Sequence, residues 1–216
     1  MATTRRISPK TGHAEVSIRP YAEGDQWVLE KTLGDPRNMV HLNGPESMDK
    51  IKKRHAKFVE MAADQHAGCP FTILAGPKLT PAGNVGYWES ELKGTKGWEM
   101  GWFVLPELQG QGIGTAAVKL VIDRLAEMKT HSLVFAYSSI ENMASSAVCR
   151  KVGFQLAEVV RDEYPPSSGL FMNANVWTLN LPSGRRRLRI SQRFGTDVTL
   201  FFLESTYFLN IGRSSS

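Results

Sequence analysis

The sequence predicts an α/β (α+β) domain in which a mixed sheet of six to seven strands is flanked by helices. Hydrophobic residues make up 42% and charged residues 22% of the 216 positions, which is average for a globular protein and sufficient for one core. The apolar pattern changes along the chain between the two-residue period of strands and the period of about 3.6 residues of helices. The resulting order is strand, two helices, three strands, helix, strand, helix and two strands. Such an order predicts antiparallel and parallel neighbours in one sheet.

The first third of the predicted domain contains one strand and two helices. Alternating apolar residues predict a strand at 14–20, and a short helix follows at 23–33. A longer helix begins at the N-cap residue Ser47 and runs to about residue 66, and Gly68 ends it. Its predicted apolar face is formed by Met48, Ile51, His55, Phe58, Val59 and Ala62.

Three short strands in the middle of the chain predict an antiparallel meander. They lie at 71–75, 85–90 and 98–105, and Pro106 ends the third. The turns between them are marked by Pro77, Pro81, Ala82 and Gly83, and then by Gly94 and Gly97.

The second half of the predicted domain alternates helices with strands. Gly153 closes the second of its two helices. The elements are a helix at 112–129, a strand at 133–137, a helix at 142–152, and strands at 154–160 and 170–181.

Positive charge is concentrated at the C-terminal end of the chain. Residues 182–216 contain six arginines and two acidic residues, whereas the whole chain has 26 basic and 21 acidic residues. Because no aromatic residue interleaves with the arginines at 185–189, the run predicts a solvated tail, and a nucleic-acid partner is not expected. A tail that binds nucleic acid or an acidic partner stays as an alternative. We therefore expect an arm at 1–13, a domain at 14–181 and a basic tail at 182–216 that is flexible or non-native.

Composition also argues against several other classes of protein. No segment approaches the ~18 apolar residues of a membrane span, so no membrane association is expected. The two cysteines and five histidines lack metal-ligand spacing, so no metal is predicted. No apolar stretch follows Arg5 and Arg6, as a secretory signal requires, and we expect a cytoplasmic protein.

A glycine-rich segment between a predicted strand and a predicted helix is the most specific feature. Residues 109–115 read Gln-Gly-Gln-Gly-Ile-Gly-Thr. Glycines bring backbone N–H groups close to an anion, and the helix start adds unpaired N–H groups, so the segment suits a diphosphate. It lacks the Lys of a P-loop and the strand context and acidic residue of a dinucleotide fingerprint. An ordinary glycine-containing helix start is the alternative.

The spacing Gln-x-x-Gly-x-Gly after a strand resembles the pyrophosphate-binding signature of the GNAT superfamily of acyl-CoA N-acyltransferases. Residues 99–109, Glu-Met-Gly-Trp-Phe-Val-Leu-Pro-Glu-Leu-Gln, look like the bulged fourth strand of this family and its exit. Residues 142–145, Asn-Met-Ala-Ser, and 151–154, Lys-Val-Gly-Phe, look like the family's Asn-containing helix and its Gly-Phe end. The segments 17–20 and 34–36 are similar to the branch that acetylates the N-termini of ribosomal proteins.

The resemblance covers about 16–181 and implies the GNAT fold, a mostly antiparallel sheet that splays between its fourth and fifth strands. It implies transfer of an acetyl group from acetyl-CoA to a primary amine, on a small molecule or a peptide or protein N-terminus, by direct attack in a ternary complex. A homodimer is left open. By this resemblance, the residues that contact the cosubstrate are Phe103, Val104 and Leu105 beside the pantetheine arm, Gln109, Gly110, Gln111, Gly112, Ile113, Gly114 and Thr115 around the diphosphate, and Asn142 at the next helix.

Glu99 is the candidate general base, because an ammonium group must lose a proton before its nitrogen can attack. The residue also aligns with a glutamate that some GNAT branches use. The two-residue period of a strand places it on the same face as Gly101 and Phe103. A carboxylate that pairs with a basic neighbour on the sheet is the alternative.

The usual general acid that would protonate the departing thiolate is missing from this sequence. The tyrosine that many GNAT enzymes carry seven residues after the Asn corresponds to Cys149. Our prediction is that Ser145 or a water takes the role, or that the thiolate leaves without an acid, since a thiol with a pKa of ~8.5 is a tolerable leaving group. Cys149 itself is expected to be a small buried residue rather than a nucleophile. Its presence leaves open a second function, a GNAT-fold module that binds acyl-CoA but catalyses weakly.

Overall fold

One eight-stranded sheet organises the residues that this computed structural model describes, which are 5–7, 15–163 and 169–182. Its order is β1-β2-β3-β4-β5-β6-β8-β7, and all neighbours are antiparallel except β5 and β6, which confirms the predicted mixed, mostly antiparallel sheet. The strands are β1 (Arg5–Ile7), β2 (Val16–Pro20), β3 (Gly68–Ala75), β4 (Thr80–Leu92), β5 (Thr95–Val104), β6 (Leu133–Ser139), β7 (Gln155–Glu163) and β8 (Phe171–Asn180).

Most of the expected arm at 1–13 and of the expected tail at 182–216 lies outside the described residues. The short strand β1 was not predicted and lies within the expected arm at 1–13. The basic tail lies outside the described residues from position 183 onward.

The segment 81–83 belongs to β4, although the sequence predicted it as a turn. The chain turns earlier, where Gly76 and Leu79 have φ of 78° and 48°. Gly83 serves a different purpose, because a Cβ at this position would collide with the carbonyl oxygen of Phe103 on β5. Glycine here permits a close approach of two strands.

Five α-helices lie in the described residues, and α2 was not predicted. They are α1 (Gln26–Leu33), α2 (Pro36–Met39), α3 (Met48–Asp64), α4 (Ile113–Met128) and α5 (Met143–Val152). Ser47 caps α3 as predicted, since its hydroxyl accepts a backbone hydrogen bond of 3.4 Å from the first turn. The helix ends before Gln65, which is left-handed with φ of 58°, and not at Gly68. Gly68 instead starts β3, where a Cβ would crowd the Tyr87 backbone.

The sheet carries a hydrophobic core on each face. On one face, α4 and α5 cover Trp98 and Met100 of β5. On the other face, α1 and α3 pack Leu29 and Phe58 with Trp88 of β4. Burial of each such side chain contributes about 1.5–3 kcal/mol, so both layers hold β5 in place. No helix within the described ranges is long and apolar enough to cross a membrane.

The parallel pair β5 and β6 corresponds to the fourth and fifth predicted strands, and it is hydrogen-bonded over a short length. Paired positions are Trp98 with Val134 and Glu99 with Phe135. Both strands continue beyond this point without pairing with each other, and a gap opens between them. The predicted splay is therefore confirmed.

The end of β5 presents main-chain groups to this gap. The N–H of Leu105 donates to the carbonyl of Ala82, at 2.9 Å and in register with β4. Because the direction of main-chain hydrogen bonds alternates along a strand, the N–H and C=O groups of Trp102 and Val104 face away from β4 and into the gap.

Candidate active site

A cavity of about 390 Å³ opens at the gap between β5 and β6. Its walls come from α2 and the turn after it, β5, the glycine-rich turn with the start of α4, the end of β6, and α5. The predicted residues that line it are Glu99, Phe103, Val104, Gln109, Gly110, Gly112, Ile113, Gly114, Thr115, Asn142 and Ser145.

Two residues predicted to contact the cosubstrate, Leu105 and Gln111, do not line the cavity. Leu105 is buried in the core, and its N–H is already bonded to β4. Gln111 is exposed to solvent on the glycine-rich turn. The alternation of the strand and the curvature of the turn thus separate these side chains from their neighbours on the cavity wall.

The glycine-rich turn presents a row of free backbone donors. The N–H groups of residues 110–115 donate no hydrogen bond to any other described residue, and Ala116 is the first to do so, to the carbonyl of Gly112 at 3.0 Å. Gly112 is the N-cap of α4 and provides no side-chain cap. Gly110 and Gly112 have φ of 76° and 80°, a conformation that favours glycine. These donors, at the positive end of a helix, fit a diphosphate.

The side chain of Gln109 forms hydrogen bonds with Asn38 and with the end of β5. Its Nε2 donates to Oδ1 of Asn38 at 2.5 Å and to the carbonyl oxygen of Val104 at 3.3 Å. Nδ2 of Asn38 donates to the same carbonyl at 3.2 Å. Asn38 was not predicted as a site residue, because it lies on α2 and no motif marks it.

Glu99 lies where the gap begins, and it is only 2% exposed. Burial raises the pKa of its carboxyl to about 7, while the nearby Trp88 and Ser90 donors act in the opposite direction. Among the described residues, nothing forms a hydrogen bond with Oε2, and no basic side chain forms an ion pair with this carboxyl. The environment therefore suits a group that exchanges a proton near neutral pH.

Tyr137 of β6 also lines the cavity and was not singled out in the sequence. Its pKa is raised by burial and by the negative charges of Glu99 and Asp162, so the hydroxyl keeps its proton at neutral pH. The ring packs edge-on against Phe135, with 6.0 Å between ring centres. In sequence, the residue lies inside an apolar strand, where an aromatic residue indicates packing.

The start of α5 holds Ser145 at the cavity. The side chain of Asn142 caps the helix by accepting a hydrogen bond of 2.9 Å from the N–H of Ser145. Cys149, one turn further, is fully buried in the core and does not line the cavity. Burial raises the pKa of its thiol to about 12, which agrees with the expected small apolar residue.

Metal ligands do not cluster in the part of the chain that the structure describes. Residues 5–7, 15–163 and 169–182 contain no group of three or more His, Cys, Asp or Glu side chains that could hold a metal ion.

Comparison with known proteins connects this geometry to a family. Residues 15–155, more than half of the chain, match the sequence model described as the acetyltransferase (GNAT) domain. No curated protein matches the sequence at a significant level.

Solved acetyltransferase structures have the same fold at low sequence identity. One is the GNAT-family acetyltransferase from Bacillus anthracis, with TM-score 0.63 and 15% identity over 82% of this chain and 98% of that one. Another, from Salmonella typhimurium, modifies the N-terminal serine of ribosomal protein L7/L12, with TM-score 0.65 and 16% identity over 82% and 100%. A third is spermidine N-acetyltransferase from Vibrio cholerae in complex with CoA and spermine, with TM-score 0.63 and 15% identity over 78% and 96%. By its domain match, the chain belongs to the GNAT family of acetyltransferases.

Proposed function

We propose that this acetyltransferase moves the acetyl group of acetyl-CoA to a primary amine by direct attack in a ternary complex. The observation that supports this most is one cavity that is lined both by residues of the glycine-rich turn with free backbone donors, at 110 and 112–115, and by the buried Glu99. The V. cholerae relative, solved with CoA and spermine, and the S. typhimurium relative, which modifies a protein N-terminus, support an amine as the acceptor.

The cosubstrate would lie along the open edge of β5. Its diphosphate would accept hydrogen bonds from residues 110–115, and its pantetheine arm would run beside the main-chain groups of Trp102 and Val104. Five residue steps along β5 separate Val104 from Glu99, which is about 17 Å at the usual strand rise. An extended pantetheine arm spans a comparable length, so the thioester would reach the level of Glu99.

The acceptor would bind on the face of the sheet that carries Glu99. Trp88, Phe103 and Tyr137 line this part of the cavity, and aromatic faces attract an ammonium group. Glu99 would take the proton from this ammonium, directly or through water, since a carboxyl with a pKa near 7 is a suitable base at neutral pH.

The neutral amine nitrogen would then attack the thioester carbon, and as the amide forms the carbon–sulfur bond would break and the nitrogen would lose a second proton. The hydroxyl of Ser145 would donate a hydrogen bond to the departing thiolate or pass this second proton to it, so that CoA leaves as the thiol. Tyr137 is a second hydroxyl in the same cavity, and its raised pKa keeps it protonated, so that it would donate a hydrogen bond to the thiolate rather than a proton.

The test measures the release of free CoA from acetyl-CoA with a thiol reagent. The candidate acceptors are diamines, small monoamines and peptides that have free N-termini. We expect amine-dependent release and a product heavier by one acetyl group. Calorimetric binding of acetyl-CoA without turnover on any amine would favour the second candidate, the weakly catalytic binding module suggested by Cys149. Absence of binding would contradict both.

A further inference from the structure

The side chains of Asn38 and Gln109 meet over the carbonyl oxygen of Val104, and we name this contact the amide clamp. Gln109 Nε2 donates to Asn38 Oδ1 at 2.5 Å, and both side-chain amides donate to the Val104 oxygen, at 3.2 and 3.3 Å. A carbonyl oxygen has two lone pairs, so the clamp uses both of them. The three groups form a closed ring of hydrogen bonds.

The clamp joins two walls of the cavity that are far apart in sequence. Asn38 belongs to α2, which with the turn after it forms the wall on the acceptor side. Gln109 is the first residue of the glycine-rich turn. Among the described residues, α2 is also linked to this region by the ion pair of Arg37 with Glu107, which is exposed and has an N–O distance of 4.0 Å. The contacts of the clamp are shorter than this ion pair, and its two hydrogen bonds to the Val104 oxygen are partly buried.

α2 is otherwise a short element with few internal restraints. It has one turn, capped by the side chain of Asp35, and Met39 anchors it in the core at 1% exposure. Its wall continues through Val40, which is 66% exposed. A one-turn helix of this kind is marginal by itself, so its position depends on tertiary contacts such as the clamp.

We propose that the amide clamp couples the two substrate sites, so that acyl-CoA held by the glycine-rich turn fixes α2 through Gln109 and Asn38. Asn38 is then a positioning residue for the acceptor wall. The inference depends on the proposed function in two respects, that the turn binds CoA and that the acceptor binds beside the wall formed by α2. A bound diphosphate restricts the backbone of the turn at Gln109, and the clamp transmits this restriction to α2 because its hydrogen bonds require a fixed geometry.

Hydrogen exchange measured with and without CoA tests the coupling. The amides of Met39, Leu42 and Gly44 form backbone hydrogen bonds of 2.9–3.2 Å within this wall and therefore report its opening. We expect CoA to slow their exchange about tenfold in the wild type, within the range of ordinary coupling between sites. In Asn38→Ala, CoA should bind with a dissociation constant within about threefold of the wild type, but the slowing should disappear.

Val40→Ala is the matched control, because it shortens a side chain of the same wall that forms no part of the clamp. It should keep the CoA-dependent slowing, which shows that truncation in this wall is not enough to remove it. The coupling is overturned if Asn38→Ala retains the slowing, or if the wild type binds CoA without any change at these amides. If calorimetry detects no CoA binding to the wild type, the proposed function is overturned together with the coupling.

Discussion

At the scale of single residues, Glu99 has an environment that is hard to explain by stability alone. Its carboxyl is buried, its pKa is raised to about 7, and Oε2 has no hydrogen-bond partner among the described residues. If it is the base, kcat/KM should fall about tenfold for each pH unit below about 7, because protonation removes the acceptor for the ammonium proton.

Glu99→Gln should therefore lower kcat/KM by about 10²–10⁴ and remove this acidic limb from the pH profile. Glu89→Gln is the control, because Glu89 lies on the neighbouring strand β4, where its carboxylate contacts His131 at 2.7 Å. The control should keep both the rate and the limb. A Glu99→Gln enzyme with an unchanged acidic limb would rule the residue out as the base.

The same residue should make the wild type less stable at high pH. The folded-state pKa of about 7 lies above the ordinary value of 4.5, so the folded state binds the proton more tightly. The free energy of unfolding is then highest below about pH 4.5, falls as the pH rises to about 7, and is level above that. Glu99→Gln removes this loss and should be more stable than the wild type by about 1–3 kcal/mol at pH 8.

Urea unfolding at pH 5 and pH 8 measures this difference directly. The advantage of Glu99→Gln should be small at pH 5, where the wild-type carboxyl is mostly protonated in the folded state. An inactive variant that is more stable at pH 8 would indicate a residue kept for chemistry rather than for stability. Equal stability at both values would show that the carboxyl is not buried in solution as it is in the structure.

At the scale of elements, the preference of the glycine-rich turn for an anion can be tested separately from the shape of the turn. Gly112→Asp places a carboxylate at the N-cap of α4, beside the free N–H groups that fit a diphosphate. Gly112→Asn is the control, because asparagine is similar in size to aspartate. Both side chains carry a similar conformational strain at φ of 80°, which Asn and Asp tolerate better than most residues. We expect the Asp variant to bind CoA at least about tenfold more weakly than the Asn variant, because only the former carries a charge of the same sign as the diphosphate.

Calorimetry at low and high salt completes this comparison. The difference between Asp and Asn should shrink as salt rises, since exposed charges are screened. Two variants with equal affinity for CoA would mean that the diphosphate binds away from this turn, and the proposed cosubstrate site would then be wrong.

Helix and strand boundaries were predictable from the sequence where a local signal sets them. Ser47 caps α3 with its own hydroxyl, and Gly153 ends α5 in the left-handed conformation, as predicted. α2 was missed because one turn is too short for a helical period to appear. Gly83 misled the prediction, because glycine at a turn and glycine where two strands approach closely look the same in sequence.

At the scale of the whole molecule, the splayed sheet was predictable because its order of elements and glycine-rich motif resemble a known family. The cavity was predictable only in part. Glu99 and the glycine-rich turn were placed together because β5 connects them. Asn38 and Tyr137 were not, since Asn38 reaches Val104 from 66 positions away and no motif marks either residue.

The last strand among the described residues yields a final prediction, for a chain that stops at Pro182. β8 ends at Asn180, and Leu181 is bound to the sheet by an N–H that donates to the carbonyl of Ser132 at 2.7 Å, with its side chain 7% exposed. The described residues that line the cavity all precede this point. The truncated chain should keep its free energy of unfolding within about 0.5 kcal/mol and its kcat/KM within about twofold, as for changes away from packed features.

The retention of the truncated chain on a cation exchanger or on heparin should fall, because six arginines and only two acidic residues are removed from a chain of net charge +5. A full-length variant with these arginines replaced by glutamine separates charge from length, and it should elute with the truncated chain. Unchanged retention of the truncated chain would end the alternative of a polyanion-binding tail, and loss of cooperative unfolding would show that residues beyond Pro182 support the fold.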